Sequence, residues 1–266
     1  MDFRKDLNQI YSVCLEATRT AGKILKDSYG EVKTIDFKGS IDIVTDVDKK
    51  AEDEIIKIIK SHFPEHTILA EESGLSDKHS KVKWIIDPLD GTTNFSHGYK
   101  CFSVSVAVEI EGEVVVGAVF DPMADELFSA QKDKDAFLNG EKINVSEVKT
   151  LKHSLLCTGF YYNVEGKNFA ENIEMFKAFS KRAQAVRRDG SAALDLCYVA
   201  CGRFEAFWEM DLKAWDIAAG SLIVKEAGGR LSDYSGNVFS IYKEEVLVSN
   251  EKIFSEMLEV LKPFRS

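Results

Sequence analysis

Apolar residues recur at helical spacing near the start of the chain. Leu7, Ile10, Val13, Cys14, Ala17, Ala21, Ile24 and Leu25 fall on one face, which predicts an amphipathic helix over about residues 4–28. A second helix is expected from Asp48 through Ile59, then short strands near Thr67–Ala70 and Val82–Ile86. From Phe102 the period changes to two. Phe102, Val104, Val106 and Val108 alternate with smaller or polar residues, and Glu111-Gly112-Glu113 reads as a turn. Val114–Phe120 pairs back, Glu126–Ala130 follows, and Asn139-Gly140 is a strong hairpin signal, so an antiparallel meander is predicted up to about Val145. After Thr150 strands alternate with helices. The strands are Leu155–Thr158, Gln184–Val186, Phe204–Trp208 and Val246–Ser249, and the helices are Phe169–Phe179, Ala192–Ala200, Ile217–Glu226 and Ile253–Leu261. The pattern predicts a mixed α/β (α+β) unit. A helix and antiparallel-sheet lobe spans residues 1–150, and a smaller α/β lobe spans 151–266.

Composition narrows the function. The 266 residues are 45% hydrophobic, enough to bury a substantial core, and no apolar run approaches the ~20 residues of a membrane span. The charged start, Met1-Asp2-Phe3-Arg4-Lys5-Asp6, does not read as a signal peptide, so a cytoplasmic location is expected. The five cysteines form no CxxC pair and read as reduced, buried small residues rather than a zinc site. A net charge of -10 argues against a general nucleic-acid binder, which needs a basic face. It also makes phosphate binding through lysine and arginine alone unnatural, a difficulty that bound cations would remove.

The most informative stretch is Trp84-Ile85-Ile86-Asp87-Pro88-Leu89-Asp90-Gly91-Thr92-Thr93-Asn94-Phe95. An apolar strand ends in two carboxylates, followed by a glycine and two hydroxyls at a turn that opens a helix. Such a turn can hold hard cations on its acids and a phosphate on its backbone N–H groups. Other acids also stand at strand ends or helix starts: Glu71-Glu72 after Thr67–Ala70, Asp216 at the start of an apolar helix, and Asp42, Asp46 and Asp48 ahead of the second helix. Each has a plainer alternative: a turn dipeptide at Asp87 and Asp90, a solvated pair at Glu71-Glu72, an N-cap at Asp216, a helix-dipole complement at Asp42–Asp48. A two-metal phosphate site needs about four converging carboxylates, and the whole set supplies them. The five histidines show no HExxH spacing or ordered triad, and Ser191 lacks the GxSxG elbow, so a histidine or serine nucleophile is disfavoured.

Asp87–Phe95 and Trp215-Asp216-Ile217-Ala218-Ala219-Gly220 resemble the two signature motifs of the inositol monophosphatase family, which belongs to the lithium-sensitive, Mg²⁺-dependent phosphatases. Ala70-Glu71-Glu72-Ser73 is similar to the family's glutamate motif, and Asp42–Asp48 to its early acidic segment. Arg188–Asp195 and Glu205–Glu209 are similar to its substrate-binding segments. The resemblance covers nearly the whole chain and implies an αβαβα layered sandwich, usually a homodimer. It implies that Glu71, Asp87 and the Leu89 carbonyl hold one Mg²⁺, that Asp87, Asp90 and Asp216 hold a second, and that Glu71 touches a third, water-rich site. Within Glu71-Glu72 the family pattern selects Glu71. Gly91 and Thr92 would bind phosphate through backbone N–H groups, and Thr92 with Asp48 would position the attacking water. Gly190, Ser191, Ala192 and Glu209 would face the alcohol, with Asp90 and Asp216 beside the bound ester. Lys38-Gly39-Ser40 would lie on a loop over the site.

The reaction expected from this resemblance is direct hydrolysis of a phosphate monoester by a metal-activated water, without a phosphoenzyme. Myo-inositol monophosphate is the first substrate expected. Fructose 1,6-bisphosphate, histidinol phosphate and 3′-phosphoadenosine nucleotides are the alternatives. The charged run Arg187-Arg188-Asp189 makes Arg187 and Arg188 candidate contacts for a second phosphate, or else simple polar surface. A protein-binding scaffold that uses the dimer surface is the alternative of another class.

Overall fold

The computed structural model describes residues 3–30, 35–37, 43–160, 167–243 and 245–264. Helix α1 (Phe3–Ser28) leads through strands β1 (Ile35–Phe37) and β2 (Ile43–Thr45), which pair antiparallel, into α2 (Asp46–His62). There follow β3 (Thr67–Ala70), β4 (Gly74–Ser76), β5 (Val82–Asp90), α3 (Thr92–Ser96), β6 (Ser103–Ile110), β7 (Glu113–Asp121), β8 (Glu126–Gln131), β9 (Ala136–Leu138) and β10 (Glu141–Ile143). The remainder comprises β11 (Leu155–Thr158), α4 (Lys167–Ser180), β12 (Ala185–Arg187), α5 (Ala192–Ala200), β13 (Ala206–Met210), α6 (Ala214–Glu226), β14 (Arg230–Ser232), β15 (Glu245–Ser249) and α7 (Phe254–Leu261).

Two large sheets result. The first has eight strands in the order β10-β9-β8-β7-β6-β5-β3-β4, and the second has five in the order β12-β11-β13-β15-β14. Alternation along the strands decides which layer each face meets. On the first sheet Trp84, Ile86, Val106, Val108 and Ala118 pack against Val13, Cys14, Ala17 and Ala21 of α1 and Ala51 and Ile55 of α2. Ile85, Ala107, Val119 and Phe128 point the other way, onto α5 and α6. The second sheet turns Phe207, Val246 and Val248 to those same helices, and Trp208 and Leu247 to Phe179 of α4 and Met257 and Leu261 of α7. The layers therefore run helix, sheet, helix, sheet, helix. This is the sandwich the family resemblance implies.

Helix α6 explains itself in this arrangement. Ile217, Ala218, Ala219, Gly220, Ser221, Leu222, Ile223 and Val224 are all buried, because the helix lies between two sheets and has no solvent face. Its approach to the first sheet is so close that a side chain at Gly117 would lie 2.7 Å from the Ala219 carbonyl.

Several boundaries differ from those the pattern predicts. Helix α2 is longer at both ends, and α6 starts at Ala214 rather than Ile217. Strand β13 ends at Met210, beyond Trp208, because all five of its residues pair with β15. Strand β5 continues past Ile86 to Asp90. Its partner β6 still matches Asp87 to Ser105 and Asp90 to Ser103, and an irregularity between them absorbs Pro88, which has no N–H to donate. Among the described residues no helix is long and apolar enough to cross a membrane. All five cysteines are free; Cys14, Cys157 and Cys197 are buried, and Cys101 and Cys201 are half-buried.

Candidate active site

Sheet register creates the first carboxylate pair. Strands β3 and β5 run parallel with Ala70 opposite Ile86, and the Glu71 N–H donates to the Ile86 carbonyl at 3.1 Å. The next residues, Glu71 just past the end of β3 and Asp87 within β5, therefore lie side by side, and their carboxyl groups are in hydrogen-bonding contact. Asp87 is 1% exposed, and its Oδ1 accepts the Leu89 N–H at 3.0 Å. Burial first, and then the charges of Glu71, Asp90 and Asp216, hold the Asp87 carboxyl well above the usual carboxylate range.

Asp90 follows at the end of the same strand. Its Oδ2 accepts the Ser191 hydroxyl at 2.6 Å and the Ala193 N–H at 2.8 Å, so the start of α5 is fastened to β5. The Ser103 and Ser191 hydroxyls lie 3.3 Å apart. Burial pushes the Asp90 carboxyl up to about 6, against the lowering effect of Ser191, Ala193 and Ala192. Asp216 arrives from the second half of the chain. Because α6 begins at Ala214, Asp216 is its third residue rather than its N-cap. It closes a capping box by accepting the Lys213 N–H at 2.6 Å on Oδ2. Burial and the charges of Asp90 and Glu71 raise its carboxyl well above its usual range. The plainer reading as a helix cap is thus correct for one oxygen, while the group also belongs to the acid set.

Glu71, Asp87, Asp90 and Asp216 form a mutually repelling group of hard oxygen donors, with Asp87 buried and the other three half-buried. A divalent cation is the species that would neutralise it.

A turn beside this group carries the remaining chemistry. Gly91 adopts φ 94°, and a side chain there would lie 3.0 Å from the Cys101 carbonyl and 3.2 Å from the Gly190 carbonyl, so only glycine fits. The Thr92 hydroxyl opens α3. It lies 3.2 Å from Oδ1 of fully buried Asp48 and 3.0 Å from the Leu89 carbonyl. Asp46 is exposed at the start of α2, whereas Asp42 and Lys38-Gly39-Ser40 lie outside the described residues.

Gly190 precedes Ser191, the N-cap of α5, and Ala192, its first residue. Gly190 has φ 87°, and a side chain there would crowd the Asn94 amide at 3.1 Å and Arg188 Nη1 at 3.4 Å. Glu209 on β13 is half-buried, and burial with the charges of Asp195, Asp216 and Asp90 raises its carboxyl. A side chain at Gly159 would overlap the Glu209 carboxyl, so that glycine leaves its space. Both arginines are exposed. Arg187 ends edge strand β12 with Nη1 on the Val186 carbonyl at 3.3 Å, and Arg188 lies nearer the turn at Gly190.

Two residues escape the sequence reading. Glu52 on α2 is 3% exposed, and its two oxygens accept the Glu72 and Ser73 N–H groups, each at 2.9 Å. It fixes the turn that presents Glu71. The Asn94 amide donates to the Cys101 carbonyl at 2.7 Å and the Asp189 carbonyl at 2.8 Å, tying α3 to the turn before α5. A faint signal exists for Glu52, since it stands one helical turn after Asp48.

The sequence profile of the inositol monophosphatase family matches residues 6–262. The chain belongs to the inositol monophosphatase family. It is 41% identical over 260 residues to the Nus factor SuhB of Haemophilus influenzae, covering 97% of both chains. It is 42% identical over 254 residues to the chloroplastic phosphatase IMPL1 of Arabidopsis thaliana, covering 93% of this chain and 68% of that one. The solved inositol monophosphatase of Anabaena superposes with a TM-score of 0.87 at 37% identity, covering 97% of each chain. Membership of the inositol monophosphatase family supports phosphatase activity, and metal dependence is general in the family.

Proposed function

We propose that the chain is a Mg²⁺-dependent phosphatase for phosphate monoesters of small polyols, with myo-inositol monophosphate as the leading substrate. The observation that carries this reading is the convergence of Glu71, Asp87, Asp90 and Asp216, with raised carboxyls at Asp87, Asp90 and Asp216, next to the Asp48–Thr92 contact. Glu71, Asp87 and the Leu89 carbonyl would hold one Mg²⁺; Asp87, Asp90 and Asp216 would hold another, and Glu71 would border a third. Two or three ions there would supply Lewis-acid stabilisation of the phosphate oxygens and lower the pKa of water.

The chain's own groups do the rest. The Gly91 and Thr92 N–H groups receive the phosphate. Asp48 orients the Thr92 hydroxyl by accepting its hydrogen bond, leaving the Thr92 oxygen free to accept from the attacking water. Gly190, Ser191 and Ala192 border the alcohol, and Glu209 accepts hydrogen bonds from its hydroxyls. Much of the catalysis is then positioning and charge compensation. The test is phosphate release from myo-inositol monophosphate with and without Mg²⁺. Release that is unaffected by chelation, or no release from any small phosphate monoester, ends this reading.

Two observations favour further roles. Arg188 beside the Gly190 turn gives a bisphosphate such as fructose 1,6-bisphosphate a cation for its second phosphate, as a rival or an additional substrate. A 41% identical relative is named a Nus factor, which favours an additional protein-binding role on the outer surface, in a cytoplasmic homodimer. Asp90→Asn separates the two functions, because it would abolish turnover and leave a surface interaction intact.

A further inference from the structure

A second polar cluster lies behind the proposed alcohol-binding turn. Cys157 sits on β11, paired with Arg187 of β12 and Phe207 of β13. Asp189 follows β12, and Asp195 stands in the first turns of α5. One ligand atom from each of Cys157, Asp189 and Asp195 lies within 4.8 Å of the others. Cys157 is fully buried, Asp195 is 1% exposed and Asp189 is half-buried, which leaves one side open to entry.

The environment of Asp195 is the independent observation. Its Oδ1 is buried and has no hydrogen-bond partner, while the carboxyl accepts the Cys157 thiol of the same cluster. Leaving a carboxylate oxygen unmatched in the interior is costly, and such a group is normally paired or coordinated to a metal. The Arg188 charge also bears on Asp195, but its side chain is exposed and does not close the gap. Tyr99 and Cys101, in the segment after α3, both feel the charges of Asp189 and Asp195.

We propose that Cys157, Asp189 and Asp195 form a site for a divalent cation that accepts thiolate and carboxylate together, Zn²⁺ being the physiological example. One sulfur and two oxygens within this span suit a tetrahedral ion whose fourth position is filled by water. The thiolate separates this site from the all-oxygen acid set, which suits Mg²⁺. Binding displaces to solvent the Cys157 proton that Asp195 accepts and puts a cation in its place. The site also bears on the first one, because the turn from Asp189 to Ala193 grips Asp90 through Ser191 and Ala193. The inference does not depend on the phosphatase reading.

The test uses Co²⁺ as the probe, added to the full-length protein in a large excess of Mg²⁺ that occupies the oxygen sites. A thiolate-to-cobalt charge-transfer band in the near ultraviolet should appear and saturate at one equivalent. Cys157→Ser should abolish the band, and Cys101→Ser should retain it. Asp195→Asn should weaken Co²⁺ binding by more than about 100-fold, beyond the cost of losing an outer-shell partner. Zn²⁺ should bleach the band. Circular dichroism of the metal-free variants checks folding, and Co²⁺ affinity in Asp195→Asn decides the question if Cys157→Ser does not fold. No band in the wild type, a band that survives Cys157→Ser, or unchanged Co²⁺ affinity in Asp195→Asn overturns the proposal.

Discussion

The Thr92 hydroxyl lies 3.2 Å from Oδ1 of Asp48, across 44 positions of sequence. The contact joins the first residue of α3 to the first turn of α2. The hydroxyl has one proton and two acceptors, because the Leu89 carbonyl stands 3.0 Å away on the other side. The proton can serve either acceptor, and the oxygen keeps its lone pairs for a further donor. Such a pair acts as one unit. Asp48→Asn and Thr92→Ala should each lower kcat by about 10²–10⁴-fold with little change in KM, since the loss falls on the transition state. The double variant should be scarcely worse than the poorer single. Steady-state kinetics on myo-inositol monophosphate check this. Fully additive losses in log kcat would reject the relay.

Glu52 supplies a prediction that concerns support of the site. Its carboxylate satisfies two backbone N–H groups in the turn after Glu71. Glu52→Ala strands both donors, at about 1–3 kcal/mol each. It should lower stability in urea melts by at least about 2 kcal/mol and raise the Mg²⁺ concentration needed for half-maximal activity. Glu52→Gln keeps one acceptor and should recover part of both effects. A Mg²⁺ requirement unchanged in Glu52→Ala would show that the turn does not position Glu71.

How far the sequence discloses this site depends on what each residue's neighbours do. Asp87 and Asp90 are legible because an apolar strand runs straight into them, and Asp216 because an apolar helix follows. The antiparallel ladder from β6 to β10 is legible in the two-residue alternation and in Asn139-Gly140. Periodicity does not give the layer order, since it tells that a face is buried but not what covers it. Asp216 looks like an N-cap and is instead the third residue of α6, closing a capping box with Lys213. Only the fold shows that the capped end faces Asp90. Glu52 is hidden for a different reason. It lies in the run Glu52-Asp53-Glu54, where one acid turns inward and nothing local says which. Cys157 and Asp189 read as a buried small residue and a surface charge, because α5 and β11 meet only in the folded chain.

Specificity should divide between Glu209 and Arg188. Glu209 lies among acids that raise its carboxyl, so it is suited to hydroxyl groups rather than phosphates. Glu209→Gln should cut kcat/KM for inositol monophosphate by about tenfold, the worth of one good hydrogen bond, and spare an aryl phosphate. Arg188→Ala should reduce turnover of fructose 1,6-bisphosphate more than that of a monophosphate, by a few-fold, because its guanidinium is exposed and screened. Equal losses on all three substrates would remove both residues from the specificity argument.

Stability should depend on pH in the direction opposite to that of most carboxylates. Asp90 is pushed up to about 6, and Asp87 and Asp216 are also raised, against an unfolded value of about 3.9. Between the unfolded value and the raised ones the native protein binds more protons than the unfolded chain. Stability therefore falls as pH rises through that window. For Asp90 the loss begins near pH 4 and is nearly complete by pH 7, and Asp87 and Asp216 contribute in the same direction. The Tm in chelator should thus drop between pH 5 and pH 8, and Mg²⁺ should restore it more at pH 8 than at pH 5, since the cation replaces the missing protons. Asp90→Asn removes one titrating group. Its metal-free stability should fall less over the same interval, by on the order of 1 kcal/mol, while its phosphatase activity falls to near background. This pairing of a lost activity with a gained pH tolerance distinguishes a crowded cation site from a merely structural acid cluster. A metal-free Tm that rises from pH 5 to pH 8, or an Asp90→Asn variant that is active and as pH-sensitive as the wild type, would show that these carboxylates do not repel one another in the folded protein.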